Sequence, residues 1–539
     1  MSCGFNGTSG TNKIEGRATA RKGMSMESHT GWKISLRKDL AIISILSLAK
    51  LALHFCFNAG YGFFRDELYY IACGEHLAFG YVDHPPFIAL IAGFSRGFLG
   101  DSLFALRFFP AVAGALVVFF TGLIVRELGG KTFAQILACV SVSFAPLYLY
   151  MGNVLTMNIF DHLFWTLSAL LVVRLLKSGN TRIWLVLGAV LGIGLMNKHS
   201  IFFFGFGLLA GLALTKSRKH LSAVNLWLGA LIAFVIFLPH FVWQIAHGFP
   251  SIEFIRNAAL YKNMPLSPKM FVLGQMFDMH PFLFPVLVLG VLFFFSFKSA
   301  RPYRVFGWMY LAIFGLFLLI RAKTYYIAPV YPVVFAGGSV ALENIIKRRC
   351  VDWLRPAVLT FLLGGFFMAA PFALPVLPVG TFVKFSECLK FSVPEAERHE
   401  KGSLPQHFAD MFGWEALVRS VSGVYGGLSA EDRAKCGVFA QNYGEAGAVD
   451  FFGDACGLPG AISGHNNYWL WGPGPYSGEI MIVIGGQRAR LERYFARVER
   501  AGVFKHRYVM PYENDLPLYV CRGLKIPIQD LWPKVKHYE

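Results

Sequence analysis

Runs of about twenty apolar residues recur along most of this 539-residue chain. An α-helix needs a stretch of that length to cross the hydrocarbon core of a bilayer, and soluble domains do not carry such stretches in series. Hydrophobic residues make up 55% of the sequence, which is above the usual content of a soluble domain. The chain is therefore predicted to be a polytopic α-helical membrane protein.

The apolar runs predict about eleven transmembrane spans. Their approximate limits are 39–59, 103–125, 132–151, 158–176, 182–197, 199–215, 222–243, 281–297, 304–320, 325–345 and 356–377. The run from 182 to 215 allows either two short spans or one span with a re-entrant segment. Residues 1–38 are basic and rich in Gly, Ser and Thr, and are predicted to be disordered.

The net charge of +18 could suggest a nucleic-acid partner. No Walker loop, zinc-ligand spacing or aromatic-basic RNA motif occurs in the sequence, so we exclude nucleic-acid binding. The lysines and arginines instead concentrate in every second loop along the chain, and these loops share one side of the membrane, where the charges set topology. These loops lie at 126–131, 174–182, 216–219, 298–304 and 347–355. The positive-inside rule then places the N-terminus in the cytoplasm, with the loop at 60–102 and the C-terminal region outside.

Residues 379–539 are less apolar and are predicted to form a small extracytoplasmic α/β domain. Residues 480–484 and 518–521 have the pattern of strands, and residues 487–501 that of an amphipathic helix. Residues 39–378 form the membrane domain in this division. Four cysteines fall in the outer domain, where three disulfide pairings are open: Cys388, Cys436, Cys456 and Cys521.

A polar island in the first outer loop is unusual for so apolar a chain. It contains Arg65, Asp66, Glu67, Tyr69 and Tyr70, followed by Asp83 and His84. Ionisable groups beside a bilayer are costly, so they serve chemistry or hold a loop in shape. On the second interpretation, Asp66 caps a helix, Glu67 favours the helix N-terminus through its dipole, and residues 83–86 form a rigid turn.

The other outer loops supply further polar groups on the same face of the membrane. They include Asp161, Lys198, Arg256, Lys262, Arg321, Lys323 and Tyr325. Carboxylates and cations together suit a site where a lipid phosphate meets a polar acceptor. The alternatives are a paired structural carboxylate for Asp161, interface anchors for Arg321 and Lys323, and solvated loop charges for Arg256 and Lys262.

Several motifs resemble bacterial members of glycosyltransferase family 39. This family includes relatives of protein O-mannosyltransferases and of the transferase that places aminoarabinose on lipid A. The segments that carry the resemblance are 65–70, 80–86, 156–165, 197–200, 323–332, 442–447 and 463–468. The resemblance implies a GT-C fold in the bacterial inner membrane, a polyprenyl-phosphate-linked sugar donor, and a catalytic acidic pair in the first outer loop. The sugar and the acceptor remain open: protein, lipid A, or another envelope lipid or glycan.

A sugar transfer of this kind needs a general base and cations that stabilise the departing phosphate. We assign Asp66 as the base, with Glu67 and Arg65 shaping its surroundings. The candidates for binding the donor phosphate and sugar are Lys323 and Arg256 first, then Lys198, Arg321, Tyr69, Tyr70, Tyr325, Asp83, His84 and Asp161. No cofactor is needed, although a divalent ion held by Asp66, Glu67 and Asp161 is an alternative.

Two other classes of function compete with an enzyme. A transporter or flippase of lipid-linked sugars would also carry polar groups at membrane depth. A non-catalytic assembly protein would bind envelope glycans through its outer domain and would not need the acidic pair.

Overall fold

The computed structural model describes residues 37–389 and 397–539. The segment predicted to be disordered, 1–38, lies almost entirely outside the described residues. The membrane domain is built from sixteen α-helices. They are α1 Arg37–Phe57, α2 Arg65–Glu75, α3 Phe87–Leu99, α4 Leu103–Glu127, α5 Thr132–Phe144, α6 Pro146–Met151, α7 Met157–Ser178, α8 Ile183–Leu195, α9 Ile201–Ala213, α10 Val224–Ala246, α11 Pro250–Asn257, α12 Pro268–Met279, α13 Phe284–Ser296, α14 Arg304–Leu319, α15 Tyr331–Arg349 and α16 Leu354–Ala369.

Short helical segments of other types link or extend these helices. The 3₁₀ helices are Lys216–Ser222, Pro281–Leu283, Lys298–Tyr303, Thr324–Val330 and Ala370–Phe372, and Ala258–Lys262 is a π-helix. Thr324–Val330 continues directly into α15, and Lys298–Tyr303 into α14.

Seven helices of the described chain are long and apolar enough to cross a membrane, and up to nine if each of two bent pairs is one span. The bent pairs are Ile201–Ala213 with Lys216–Ser222, and Pro268–Met279 with Pro281–Ser296. The spans predicted at 132–151 and 182–197 correspond to shorter apolar helices, Thr132–Phe144 and Ile183–Leu195. The first of these stops at Ala145 because Pro146 follows it and starts a new helix.

The helices differ in how much of their surface the bundle covers. α4, α7 and α15 are mostly buried, whereas α1, α10 and α16 turn most of their apolar surface outward. Small residues allow the closest contact: a Cβ added at Gly338 of α15 would lie 2.0 Å from the carbonyl oxygen of Val286 in α13. Any larger residue at Gly338 would separate these two helices.

The C-terminal part is a five-stranded mixed sheet with helices. Its strands are β1 Cys436–Ala440, β2 Ala461–Ser463, β3 Ile480–Ile484, β4 Phe495–Phe504 and β5 Leu516–Leu524, in the order β2-β1-β3-β5-β4. β1 is parallel to β2 and β3, while β5 is antiparallel to β3 and β4. Its helices are α17 Val379–Leu389, α18 Gln406–Ala409, α19 Trp414–Gly426, α20 Ala430–Lys435, α21 Tyr443–Gly453, α22 Asn466–Trp471, α23 Arg488–Tyr494 and α24 Ile528–Val535, with 3₁₀ turns at Asp454–Cys456 and Pro511–Glu513.

The strands predicted at 480–484 and 518–521 correspond to β3 and part of β5. The helix predicted over 487–501 is wrong beyond Tyr494, where β4 begins. β4 is an edge strand whose exposed positions include Arg497, Glu499 and Arg500. Charged side chains protect such an edge from pairing with another chain, and here they gave the strand the composition of a surface helix. Cys388, Cys436, Cys456 and Cys521 are all free thiols.

The sheet domain packs on the first loop of the membrane domain. Leu68 and Ile88 of the loop share one hydrophobic core with Val438 and Ile482 of the sheet. A Cβ added at Gly447 of α21 would lie 2.9 Å from the backbone of Leu68, so α21 rests directly on α2. The polar island is therefore enclosed between the two parts of the chain.

Candidate active site

The start of α2 separates the two neighbouring carboxylates. Phe64 is the N-cap residue, and the backbone N–H of Phe64 donates to Oε2 of Glu67 at 2.8 Å. Asp66 is therefore the second residue of the helix, and its predicted alternative role as the cap is wrong. Successive helix residues point about 100° apart. The Glu67 side chain is consequently 0% exposed, whereas that of Asp66 is 28% exposed.

Glu67 is held on all sides by donors. Nε and Nη2 of Arg107 donate to its two oxygens, each at 2.8 Å, and the backbone N–H of Leu155 donates to Oε1 at 2.8 Å. Arg107 also donates to the carbonyl oxygens of Asn58 and Gly62. A buried carboxylate with this set of donors has no room for a substrate proton. These contacts favour a scaffold role for Glu67 over the catalytic place beside Asp66 that the sequence predicts.

Asp66 faces the C-terminal domain. The Tyr443 hydroxyl donates to its Oδ1 at 2.9 Å, and Arg65 Nε lies 3.7 Å from the same oxygen. Among the described residues, both contacts use Oδ1, so Oδ2 is available to a substrate. A partly exposed carboxylate whose position is fixed through one oxygen has the geometry of a general base.

Arg65 links α2 to the C-terminal part. Its Nη1 donates to the Tyr512 hydroxyl at 3.0 Å, and its Nη2 lies 3.7 Å from Oδ2 of Asp410. The aliphatic stem rests on Gly444, where an added Cβ would meet Arg65 Cγ at 2.4 Å. Burial raises the pKa of Asp410 to about 6, although Arg65 opposes that rise.

Three cations gather near Asp66, and we call Arg65, Lys262 and Lys323 the cation cluster. Lys323 Nζ donates to Oε1 of Glu397 at 3.2 Å. The backbone brings Lys262 to the same place, because Asn263 pairs with Glu397 and Arg398 N–H donates to the Lys262 carbonyl at 2.9 Å. Burial alone would raise the pKa of Glu397, but Lys262, Lys323 and Arg65 outweigh it and hold that pKa at about 2.

Lys198 lies beside the cation cluster. Its Nζ donates to Asn158 Oδ1 at 2.6 Å and lies 5.7 Å and 5.6 Å from the ring centres of Tyr325 and Tyr326. These contacts place a fourth cation behind the tyrosine pair that opens the late motif. Asp161 is buried in the bundle and accepts a hydrogen bond from Ser200 at 2.5 Å.

Asp83, His84 and the paired tyrosines fasten the loop to the domain. The Tyr69 hydroxyl donates to Asp83 Oδ1 at 2.8 Å, and its ring lies 4.7 Å from that of Tyr443. The His84 ring is fully buried and packs edge-on against Tyr69 and Tyr70 at 5.8 and 5.1 Å. Burial raises the pKa of Asp83 and lowers that of His84. The contacts of Tyr69 and Tyr70 with both parts of the chain make them part of the wall beside Asp66.

Two of the predicted phosphate ligands lie outside this group. Arg256 is exposed on α11, and Arg321 is exposed after α14. Both arginines were predicted as ligands because they are cations in loops near the membrane surface. The position of a residue in a loop does not determine the direction of its side chain. Lys262, which was interpreted as a solvated loop charge, lies in the cation cluster instead.

Sequence reasoning also missed several residues that complete the site. Tyr443, Asp410, Tyr512 and Glu397 come from the C-terminal part and meet α2 only through the tertiary fold. Arg107 could have been selected from the sequence, because an ionisable residue inside an apolar helix is expected to have a charged or polar partner.

No group of three or more His, Cys, Asp or Glu side chains suited to a metal ion occurs within residues 37–389 and 397–539. Of the three carboxylates considered for a divalent ion, Glu67 binds Arg107 and Asp161 binds Ser200. Only Asp66 of this set faces the cation cluster.

The half-buried carboxyl of Asp450 makes stability depend on pH. It accepts hydrogen bonds from the Ala461 N–H and the Tyr468 hydroxyl, and burial raises its pKa to about 6. A raised carboxyl pKa stabilises the fold at low pH, and this contribution is lost as pH rises from about 4 through 6. The free energy of unfolding of Asp450→Asn, taken relative to that of wild type, should therefore rise by about 1–2 kcal/mol between pH 4.5 and 7.5. This figure is discounted for the partial exposure of the side chain. Unfolding of both proteins in detergent at the two pH values measures this difference.

The matched control for that experiment is Asp530→Asn, which changes an exposed carboxylate elsewhere in the same domain. Its stability difference from wild type should not vary with pH. A pH-independent difference for Asp450→Asn as well would contradict the assignment of a raised pKa.

The chain is similar to known proteins in part of its sequence and in its fold. A family described as dolichyl-phosphate-mannose-protein mannosyltransferase matches residues 83–243. ArnT from Cupriavidus metallidurans in the apo state aligns with a TM-score of 0.55 and 14% identity, over 92% of this chain and 98% of that structure. ArnT from the same organism bound to undecaprenyl phosphate gives a TM-score of 0.56 and 14% identity, over 91% and 98%.

An oligosaccharyltransferase from Archaeoglobus fulgidus has a lower TM-score of 0.43 at 14% identity, over 61% of this chain and 55% of that structure. No curated protein sequence matches the chain. The chain has an ArnT-like GT-C fold with membrane-spanning helices and a small C-terminal sheet domain. The resemblance to glycosyltransferase family 39 that the motifs indicated is confirmed by the family match and the ArnT-like fold.

Proposed function

We propose that the chain is an inverting glycosyltransferase that moves a sugar from a polyprenyl-phosphate donor to an envelope acceptor. The acceptor is a protein, lipid A or another glycan, and the reaction takes place on the outer face of the bacterial inner membrane. The observation that carries the proposal is a partly exposed carboxylate, Asp66, beside the cation cluster at the junction of the two parts of the chain.

The reaction assigns one role to each side of the site. Asp66 Oδ2 accepts the proton of the attacking acceptor group as that group bonds to the anomeric carbon of the sugar. The bond between that carbon and the phosphate oxygen breaks on the opposite face, and polyprenyl phosphate leaves with the bonding electron pair. A single displacement of this kind inverts the anomeric centre. The hydrogen bond from Tyr443 keeps Asp66 oriented for this step.

Negative charge builds on the phosphate as it departs, and cations already in place stabilise it without rearrangement. Arg65, Lys262 and Lys323 provide this charge, and Lys198 provides a fourth behind Tyr325. The low pKa of Glu397 supports this role, because it reports how strongly the position between these side chains favours an anion. We propose that the donor phosphate takes over from Glu397 as the anion these cations bind.

The fold supports the lipid part of the proposed donor. ArnT from Cupriavidus metallidurans, which shares the fold of this chain, is known in a form bound to undecaprenyl phosphate. A polyprenyl chain of that kind would lie in the membrane, with its phosphate at the level of Lys323, at the start of a predicted span.

Removing one lysine of the cation cluster should weaken donor binding. Lys262→Ala should raise the Kd for polyprenyl phosphate about 10- to 100-fold, since one charge-assisted hydrogen bond contributes about 1.5–3 kcal/mol. Equilibrium binding of radiolabelled polyprenyl phosphate to the purified protein in nanodiscs measures this effect.

Arg256→Ala is the matched control, because it removes a cation from the same connecting region, where Arg256 is exposed. Its Kd should stay within twofold of wild type. If Arg256→Ala weakens binding and Lys262→Ala does not, the phosphate site is the one the sequence alone suggested.

The proposed reaction needs no metal ion, because the lysines and Arg65 supply the charge that a divalent cation would supply. Transfer should therefore continue at an unchanged rate when the purified protein is treated with EDTA and then assayed in its presence. Loss of transfer that added Mg²⁺ or Mn²⁺ restores would assign the carboxylates to a metal site instead.

A further inference from the structure

A cavity of about 500 Å³ lies in the C-terminal domain, on the face of the sheet opposite to the membrane domain. Successive side chains of a strand point to opposite faces of the sheet. Val438 and Ile482 therefore point towards the membrane domain, while Phe439, Met481 and Val483 point to the face that carries the cavity. α23 and α24 cover this second face, but they are only seven and eight residues long. The space between them and the sheet is not filled.

The cavity has an apolar interior and a cationic rim. Its floor includes Phe439, Met481 and the ring of Trp532. Arg490 of α23 and Lys534 of α24 line its edge and are exposed. Within the described residues neither of these two cations forms an ion pair, and no carboxylate lines the cavity. A third lining cation, Lys536, pairs with Glu253. An apolar interior with two unpaired cations at its rim matches an anionic amphiphile in charge and polarity.

The cavity also shares a wall with the candidate active site. Gln441 lines the cavity at the end of β1, and two residues later the Tyr443 hydroxyl donates to Asp66. His537 lines it as well, and its ring stacks on His465 at 4.5 Å. The His465 ring in turn lies 4.7 Å from that of Tyr443. Two neighbouring histidine rings, those of His537 and His465, therefore separate the cavity from Tyr443, the residue that orients the base.

We infer that this cavity binds the acyl chain of a phosphorylated acceptor lipid, with Arg490 and Lys534 contacting its phosphate. The inference rests on the proposed function, because it gives the transferase a lipid acceptor among those left open. The cavity volume falls within the range of small-molecule sites in proteins and suits one chain rather than a whole lipid.

The test uses a fluorescent lysophosphatidic acid with a twelve-carbon chain as the probe and the full-length protein in nanodiscs of neutral lipid. Saturable binding to wild type is expected. The double variant Arg490→Ala/Lys534→Ala should weaken it about 10- to 30-fold, since each cation near an anionic headgroup contributes about threefold to fivefold. Leu491→Trp, which fills the space between α23 and the sheet, should abolish binding while leaving the rim charges in place.

The matched control is Arg488→Ala/Lys505→Ala, which removes two exposed cations of this domain that do not line the cavity. Its affinity should remain within twofold of wild type. Dodecanol has the same chain without the phosphate and should compete at least tenfold more weakly than unlabelled lysophosphatidic acid, whereas inorganic phosphate at millimolar concentration should not displace the probe. Absence of saturable binding, equal loss in both double variants, equal competition by dodecanol, or displacement by inorganic phosphate would overturn the inference.

The binding assay is independent of catalysis. Asp66→Asn should bind the probe as wild type does, so a failure of the cavity proposal leaves the transferase proposal to its own test. If the probe binds as expected but Asp66→Asn transfers sugar normally, the cavity stands as a lipid site and the proposed base is wrong.

Discussion

Replacement of Asp66 by Asn should reduce sugar transfer about 10²- to 10⁴-fold, the usual contribution of a positioned general base. Asn keeps an oxygen that can accept the Tyr443 hydroxyl, so the junction between α2 and α21 should stay intact. Donor binding should be almost unchanged, because the lysines of the cation cluster remain. The measurement is the single-turnover rate with donor in excess, together with the Kd for polyprenyl phosphate.

Glu67→Gln is the comparison that separates the two adjacent carboxylates. It should lower the free energy of unfolding, because Arg107 loses its carboxylate partner. The rate of sugar transfer per folded molecule should nevertheless stay within a few-fold of wild type. A normal rate for Asp66→Asn, with a large loss for Glu67→Gln in folded protein, would reverse the assignment.

Loss of Arg107 should have the largest effect on stability. Arg107→Met leaves the Glu67 carboxylate buried without its guanidinium partner, which typically costs about 3–5 kcal/mol. It also leaves the carbonyl oxygens of Asn58 and Gly62 without their donor. The free energy of unfolding in detergent should fall by that amount, and the yield of folded protein should fall with it.

The double variant Glu67→Gln/Arg107→Met should recover a good part of that loss, because no charge then remains unpaired. Arg96→Met is the control for a surface arginine, since Arg96 pairs with Glu75 and Asp101 where solvent screens the charges. It should cost less than about 1 kcal/mol. Equal losses for Arg107→Met and Arg96→Met would show that the buried pair does not hold the loop.

The membrane architecture was predictable because apolar length is a local property. Each of the eleven predicted spans falls on an apolar helix, but only seven helices of the described chain, or up to nine, are long enough to cross a membrane. The differences arise at breaks such as Pro146, where one run divides into two helices. Strand β3 was equally clear from five consecutive apolar residues. The edge strand β4 was not, because the charges that protect its exposed side also suit a helix.

The candidate site was predictable only in part. Asp66 and Lys323 could be selected because their motifs are local. The division of labour between Asp66 and Glu67 depended on the direction of α2 and on Arg107, forty residues away in the chain. Tyr443 and Glu397 reach the site only because the C-terminal domain folds back onto the first loop, and no local pattern encodes that contact.

The central claim is that the chain itself breaks the sugar–phosphate bond of a lipid-linked donor. The direct measurement incubates purified protein with a mixture of polyprenyl-phosphate sugars and an envelope extract, and follows donors and products by mass spectrometry. Wild type should consume one donor and release an equal amount of polyprenyl phosphate, with the sugar appearing on one acceptor, whereas Asp66→Asn should do neither. Donors that stay intact with wild type, or that only cross the bilayer of a vesicle unchanged, would contradict the account and favour a transporter.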